Sequence, residues 1–205
     1  MIRALPAGLR RFALADIPPE PWRNGGGLTR TVAAGHSGAA LQWRVSAADI
    51  ARDGDFSVFD GVDRQAVLMR GAGLRLQGPH DRWVFHEAGD LHRFPGETPL
   101  RASLGSGPAR LWNVMVARDL AWAEVRVDEL AHTVEVPAPG ADVMAVVVVL
   151  EGLLQVSVGG ESELLTLSED EGLVMSNPSP SIDLRPLTAR TRWIHTALRR
   201  HVPMN

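Results

Sequence analysis

The side chains of this chain best suited to hold a ligand are arginines and amides set among glycines and aromatics. They lie in PWRNGGGLTR (Pro21–Arg30), in WRVSA (Trp43–Ala47), at Arg64 and in LWNVM (Leu111–Met115). A planar guanidinium takes a carboxylate through two parallel hydrogen bonds. Three adjacent glycines, Gly25, Gly26 and Gly27, admit positive φ and can turn a row of N–H groups toward an anionic oxygen. Asn24 and Thr29 add short polar groups, and Trp22 adds an apolar wall with one donor. The chemistry these types support is non-covalent capture of a small acid. The same stretch also reads as a glycine bend entering a strand, with Trp22 packed as a plug. A Walker loop is excluded, because Leu28-Thr29-Arg30 stands where Lys-Ser/Thr and a helix are required.

The elements that must position these groups read as strands. Alternation along Trp43–Ala47 sends Trp43, Val45 and Ala47 to one face, and Arg44 and Ser46 to the other. Arg44 is then either an outer surface charge or an interior clamp. Arg64 poses the same choice, with an ion pair to Asp60 or Asp63 as its structural alternative. Asn113 interrupts the apolar run LWNVMVA, and a buried asparagine needs a partner. A ligand, a backbone carbonyl and a water all qualify.

Other chemistries lack their residues. The 205-residue chain has no cysteine, lysine or tyrosine, so thiolate, Schiff-base and tyrosine-acid mechanisms drop out. His80, His86 and His92 recur every six residues beside Glu87, but the Gly89-Asp90 turn falls between His86 and His92. No His-x-His pair exists, and no bound metal or other cofactor is expected. GHSGA (Gly35–Ala39) lacks the second glycine of a nucleophile elbow. His195 reads as a strand histidine, matched in the other half of the chain by Val114.

Helical periodicity is weak throughout; only Asp49–Asp53 and Val127–His132 read as helical turns. Short β-rich runs bounded by glycine, proline or Asp-Gly recur instead, from Leu28–Ala33 to Arg192–Ala197. VLMRG (Val67–Gly71) is echoed by VVLEG (Val148–Gly152) at an offset that sets Trp112 on Trp193 and Pro99 on Pro180. Two similar β-modules follow, residues 1–118 with the glycine-rich motif and 119–205. The expected class is all-β, two cupin-like jelly-roll barrels side by side, with the ligand in a barrel mouth. A net charge of -3 gives no basic face for nucleic acid. The longest apolar run, Val143–Leu150, is far short of the roughly 20 residues of a membrane helix. A cytoplasmic protein is expected.

PWRNGGGLTR, WRVSAADIARDGDFSVFDGVDR (Trp43–Arg64), LHRFPGETPLRA (Leu91–Ala102) and LWNVM together resemble the HutD/Ves family of bicupin proteins. The resemblance covers the first 115 residues well and the remainder mainly in strand pattern. It implies a pair of double-stranded β-helices without the usual cupin metal ligands. It also implies a small-molecule-binding regulator associated with histidine utilisation. With the resemblance, the expected site takes an anionic intermediate of histidine breakdown, urocanate or an N-formyl or N-formimino glutamate. The amides of Gly25, Gly26 and Gly27 and the side chains of Arg44 and Arg64 hold its carboxylate. Asn24, Thr29, Ser46 and Asn113 read its other polar atoms, Trp22 and Phe94 wall the site, and His92 lies at the rim.

Binding without catalysis is the favoured reading. The alternatives are a metal-free cupin isomerase or hydrolase with His92 or His86 as base, and a stress-linked interaction protein with no ligand. The expected partner is a small anionic metabolite, with neither nucleic acid nor membrane involved and a homodimer admitted.

Overall fold

The computed structural model describes residues 5–22, 24–38, 40–141, 143–158 and 165–201. Strand β1 is Leu9–Ala13, followed by a short 3-10 turn, Leu14–Asp16. Then come β2 (Glu20–Pro21), β3 (Gly27–Ser37), β4 (Ala40–Ile50), β5 (Gly54–Asp55), β6 (Val62–Arg70) and β7 (Leu74–Gln77). They are followed by β8 (Arg82–Phe85), β9 (Leu91–Pro95), β10 (Arg101–Ser103) and β11 (Ala109–Ala117). The rest are β12 (Ala121–Glu129), β13 (Val134–Val136), β14 (Val143–Glu151), β15 (Leu153–Ser157), β16 (Leu165–Ser168), β17 (Glu171–Ser176), β18 (Ile182–Pro186) and β19 (Arg192–Arg200). The all-β expectation holds. The two expected helical turns do not: β4 runs through Ile50 and β12 through Glu129, because ladder pairing on both segments outweighs their local polarity.

The chain divides into two compact units, Ile17–Trp122, and Met1–Asp16 with Ala123–Asn205. The first unit holds a six-stranded antiparallel sheet, order β2-β3-β4-β11-β6-β9, and a four-stranded sheet, order β5-β10-β7-β8. Period-two alternation sends Ala48, Ile50, Ala66, Leu68, Phe94 and Leu111 from the larger sheet into a core. Leu74, Leu76, Phe85 and Ala102 meet them from the smaller one. The second unit has the sheets β1-β17-β14-β19-β12 and β13-β18-β15-β16 around a core that includes Val147, Val149, Leu154, Leu167 and Trp193.

Three sequence expectations are corrected. Among the described residues no sheet closes on itself, so the units are pairs of open sheets and not closed barrels. Edge strands such as β2, two residues ending in Pro21, offer too few free N–H groups for closure. The first sixteen residues, grouped with the glycine motif by sequence, fall in the other unit. There β1 pairs with β17 from Leu9↔Met175 to Ala13↔Glu171.

The third correction concerns the internal repeat. Sheets β4-β11-β6-β9 and β5-β10-β7-β8 recur, each strand shifted by eight, as β12-β19-β14-β17 and β13-β18-β15-β16. Both copies also share a bulge. Leu111 faces Leu68 while Arg110 faces Arg70; Trp193 faces Val149 while Arg192 faces Glu151. Matching the bulges sets Trp193 on Leu111 and His195 on Asn113, one residue away from the alignment by sequence. A slip of one residue exchanges the two faces of a strand. Trp112 and Trp193 are therefore not counterparts, and His195 is not matched by Val114.

Candidate ligand-binding site

Ladder register assembles the site on the inner face of the six-stranded sheet. Arg44, Met115, Arg64 and Phe94 form one row across β4, β11, β6 and β9. Ser46, Asn113, Ala66 and His92 form the next, and Ala48, Leu111 and Leu68 a third. Residues directly paired in an antiparallel sheet project to the same side. Since Ala48, Ala66, Leu68, Phe94 and Leu111 belong to the core, Arg44, Arg64 and Asn113 also point inward. The interior alternative for both arginines is the one realised.

These three side chains line a cavity of about 410 Å³ together with Trp22, Thr29 and Phe56. Arg64 is only 7% exposed, and Asn113 only 4%. The Arg64 guanidinium donates to Asn113 Oδ1 from Nη2 at 3.0 Å and from Nε at 3.4 Å. It lies 5.2 Å from the ring centres of both Phe56 and Phe94, within cation–π range. Arg44 lies over Phe59 at 5.8 Å and donates from Nη2 to the Met115 sulfur at 3.1 Å. Its buried Nε has no acceptor among the described residues.

Neither arginine has a carboxylate partner among the described residues. Asp63, offered by sequence as a partner for Arg64, is instead held by Arg118. Burial pulls the Arg64 pKa down to about 10, with the neighbouring Arg44 charge adding to the effect. Burial lowers Arg44 as well, partly offset by Glu20, an exposed residue at the cavity edge. A buried Arg64 beside a partly buried Arg44, neither bonded to a carboxylate among the described residues, is unfavourable in isolation and favours an anion that enters.

Trp22 stands edge-on to Phe56, with ring centres 5.5 Å apart, and donates from Nε1 to Thr29 Oγ1 at 2.8 Å. Because the Thr29 oxygen accepts that bond, its own O–H proton remains available to a ligand. The cavity thus presents two guanidiniums, an amide and a hydroxyl between aromatic walls.

Several expected site residues lie elsewhere. The glycine loop does not line the cavity. Gly25 N–H donates to Trp22 O at 2.9 Å and Gly26 N–H to Asn24 Oδ1 at 2.9 Å, while Gly27 pairs with Ile50 in the ladder. With the Gly25 and Gly26 amides engaged, the loop turns the chain. Gly25 takes φ +65, and a Cβ on Gly27 would sit 2.3 Å from Asp49 O and 3.2 Å from the Trp22 ring. Gly27 therefore lets the Trp22 ring lie close against the backbone. Asn24 staples the bend, its Nδ2 donating to Asp55 O at 2.8 Å.

Ser46 is sealed in the sheet and donates to Asn113 O at 3.4 Å. Phe94 lies beneath Arg64 as a platform and not at the cavity surface. The ring of His92 bonds the Val84 carbonyl at 2.9 Å and packs edge-on against Phe85, away from the cavity. Among the described residues no three His, Cys, Asp or Glu side chains cluster as a metal site. Sequence reasoning assigned no role to Phe56, Ser57 and Phe59, though FSVF sits inside one of the quoted motifs.

A family model described as HutD matches residues 14–193. The chain belongs to the HutD family. Among HutD-related proteins, it is 35% identical over 126 residues to protein Ves of Cronobacter sakazakii, covering 60% of this chain and 68% of that one. It is 35% identical over 114 residues to an uncharacterised 21.2 kDa protein of the hutC 3′ region of Pseudomonas putida, covering 53% and 58%. The fold is shared with HutD from Pseudomonas fluorescens SBW25, TM-score 0.76 at 22% identity, covering 95% of this chain and all of that one. It is also shared with a cupin 2 conserved barrel domain protein from Leptotrichia buccalis, TM-score 0.62 at 9% identity, covering 94% and 96%. The architecture is cupin-like.

Proposed function

We propose that this HutD-family chain is a metal-independent binding protein for a small carboxylate, acting as a regulator in histidine utilisation. One observation carries the reading. Arg44 and Arg64 point into a single cavity, lack carboxylate partners among the described residues, and leave a buried Nε and a lowered pKa as signs of an unmet charge. A ligand carboxylate supplies the missing counter-ion, and Asn113 and Thr29 address the atoms beside it. The aromatic walls favour a flat or slender body, as in urocanate or an N-formyl or N-formimino glutamate. The link to histidine breakdown rests on the family and on the Pseudomonas putida relative of the hutC 3′ region. In this bicupin reading, occupancy biases a contact with a second copy or another protein and so limits expression or flux.

Calorimetry with urocanate and with N-formylglutamate tests the proposal. Saturable binding without turnover, lost in Arg64→Met, is expected. Absence of heat with both at ~5 mM, in a range where weak ligands still register, sinks it. Product formed from either compound would move the protein to the enzymes.

A further inference from the structure

The second unit has a cavity of its own, also about 410 Å³, lined in part by Arg126, Asp128, Glu135, Trp193 and His195. Shared bulges make it the counterpart of the anion site: His195 stands where Asn113 stands, and Trp193 where Leu111 stands. The same matching puts Ala145 in the place of Arg64. The cavity therefore lacks a counterpart of Arg64, and the guanidinium that does line it is Arg126.

Three features indicate what it would take. Trp193 is 6% exposed and lines the cavity, and its indole Nε1–H has no acceptor among the described residues. A buried donor left unpaired is unfavourable, and an acceptor on a bound molecule removes the penalty. The His195 ring stacks on Trp193 with ring centres 5.5 Å apart and planes inclined by 30°, a stack that a further planar group can extend. Burial holds His195 below its ordinary pKa, so the imidazole of this stack is neutral at neutral pH. The surrounding charge is acidic. Arg126 is occupied by Glu124 at 2.7 Å, while Asp128 and Glu135 form no ion pair among the described residues.

We infer that this second cavity binds an α-amino acid with a planar side chain. Its carboxylate accepts from the Trp193 indole, its ammonium meets Asp128 and Glu135, and its side chain lies on the Trp193–His195 rings. An anion of the kind proposed for the first site would meet the carboxylates of Asp128, Glu129 and Glu135 here, with Arg126 already paired to Glu124. The two cavities thus differ in the sign of the charge they select.

The test is a titration of the ¹⁵N-labelled full chain with L-phenylalanine, following the indole N–H signals, with Trp193 assigned by Trp193→Phe. The expected result is a saturable shift of the Trp193 signal at up to ~20 mM ligand. Phenylacetate, which lacks the ammonium, and phenethylamine, which lacks the carboxylate, should each bind about tenfold more weakly or worse. The double variant Asp128→Asn, Glu135→Gln should weaken binding about fivefold, and Arg64→Met should leave it unchanged. An unmoved Trp193 signal in a chain whose other indole signals stay dispersed overturns the inference. So does phenylacetate or phenethylamine binding as tightly as L-phenylalanine.

Discussion

Arg64 and Asn113 lie on neighbouring strands, and the guanidinium Nη2 donates to the amide Oδ1 at 3.0 Å with no carboxylate joining them. Asn113 thus orients a buried charge without neutralising it. A neutral partner holds the fork toward the cavity and leaves its attraction for an anion intact.

Removing that charge should separate stability from binding. Arg64→Met keeps much of the volume between Phe56 and Phe94 and deletes an uncompensated buried cation. Replacing buried charge by hydrocarbon is often neutral or stabilising by about 1–4 kcal/mol. Urea unfolding should show stability unchanged or raised, while calorimetry shows carboxylate binding lost. A loss of several kcal/mol would mean that Arg64 is structural.

The lowered Arg64 pKa sets an alkaline signature. Its folded value, about 10, lies below that of the unfolded chain, so above pH 10 the unfolded state holds a proton that the folded state has released. This group penalises the fold below pH 10, and the penalty fades as pH rises through 10 toward the unfolded value. Carboxylate affinity should fall over the same interval, because the neutral guanidine no longer attracts the ligand. Affinity measured from pH 8 to 11 checks it; an affinity that stays flat across that range would mean that Arg64 keeps its proton.

His195 works in the acid range. Burial, then Arg126, lowers its pKa, with Asp128 and Glu124 opposing. As pH falls below about 6.5 the unfolded chain takes up a proton that the folded chain refuses, so stability declines from there down to the folded pKa. Replacing the ring by the residue of the first site, His195→Asn, should flatten that part of the stability profile in denaturant titrations.

The glycine bend should behave as scaffold. Gly25→Ala forces a side chain into φ +65 and should cost about 1 kcal/mol. Gly27→Ala meets Asp49 O at 2.3 Å and should cost more, as chemical denaturation would show. Folded Gly25→Ala protein should bind carboxylates as the parent does. A selective loss of affinity with unchanged stability would restore the loop amides to the site.

Asp49 ties three strands together. Its carboxylate accepts from Arg110 Nε at 2.6 Å on β11 and also from Arg30 on β3. Asp49→Ala would remove the carboxylate that Arg30 and Arg110 share and should lower stability by about 1–3 kcal/mol in urea unfolding. Asp49→Asn should recover part of that loss.

How far each feature could be read in advance follows from the range of the interactions behind it. Alternation in WRVSA placed Arg44 and Ser46 together on one face without naming the face. LHRFP, rich in polar residues and ending in proline, gave no strand signal, yet β9 pairs with β6 from Asp63↔Pro95 to Val67↔Leu91. Phe56 and Phe59 had no assigned role, because what they pack against, Arg64 and Arg44, is visible only once the sheet is paired. The glycine loop was misjudged for a related reason: the acceptors of its amides, Trp22 O and Asn24 Oδ1, depend on how the bend closes.

Residue order alone established the all-β class, most strand positions and the supply of arginines, amides and aromatics. These follow from period-two patterning and side-chain chemistry, which are local. Folding in three dimensions chose which face points inward, whether a guanidinium finds a carboxylate, and where Trp193 and His195 fall in the repeat. Such outcomes hang on pairing between distant strands, where one bulged residue reverses the parity of everything beyond it.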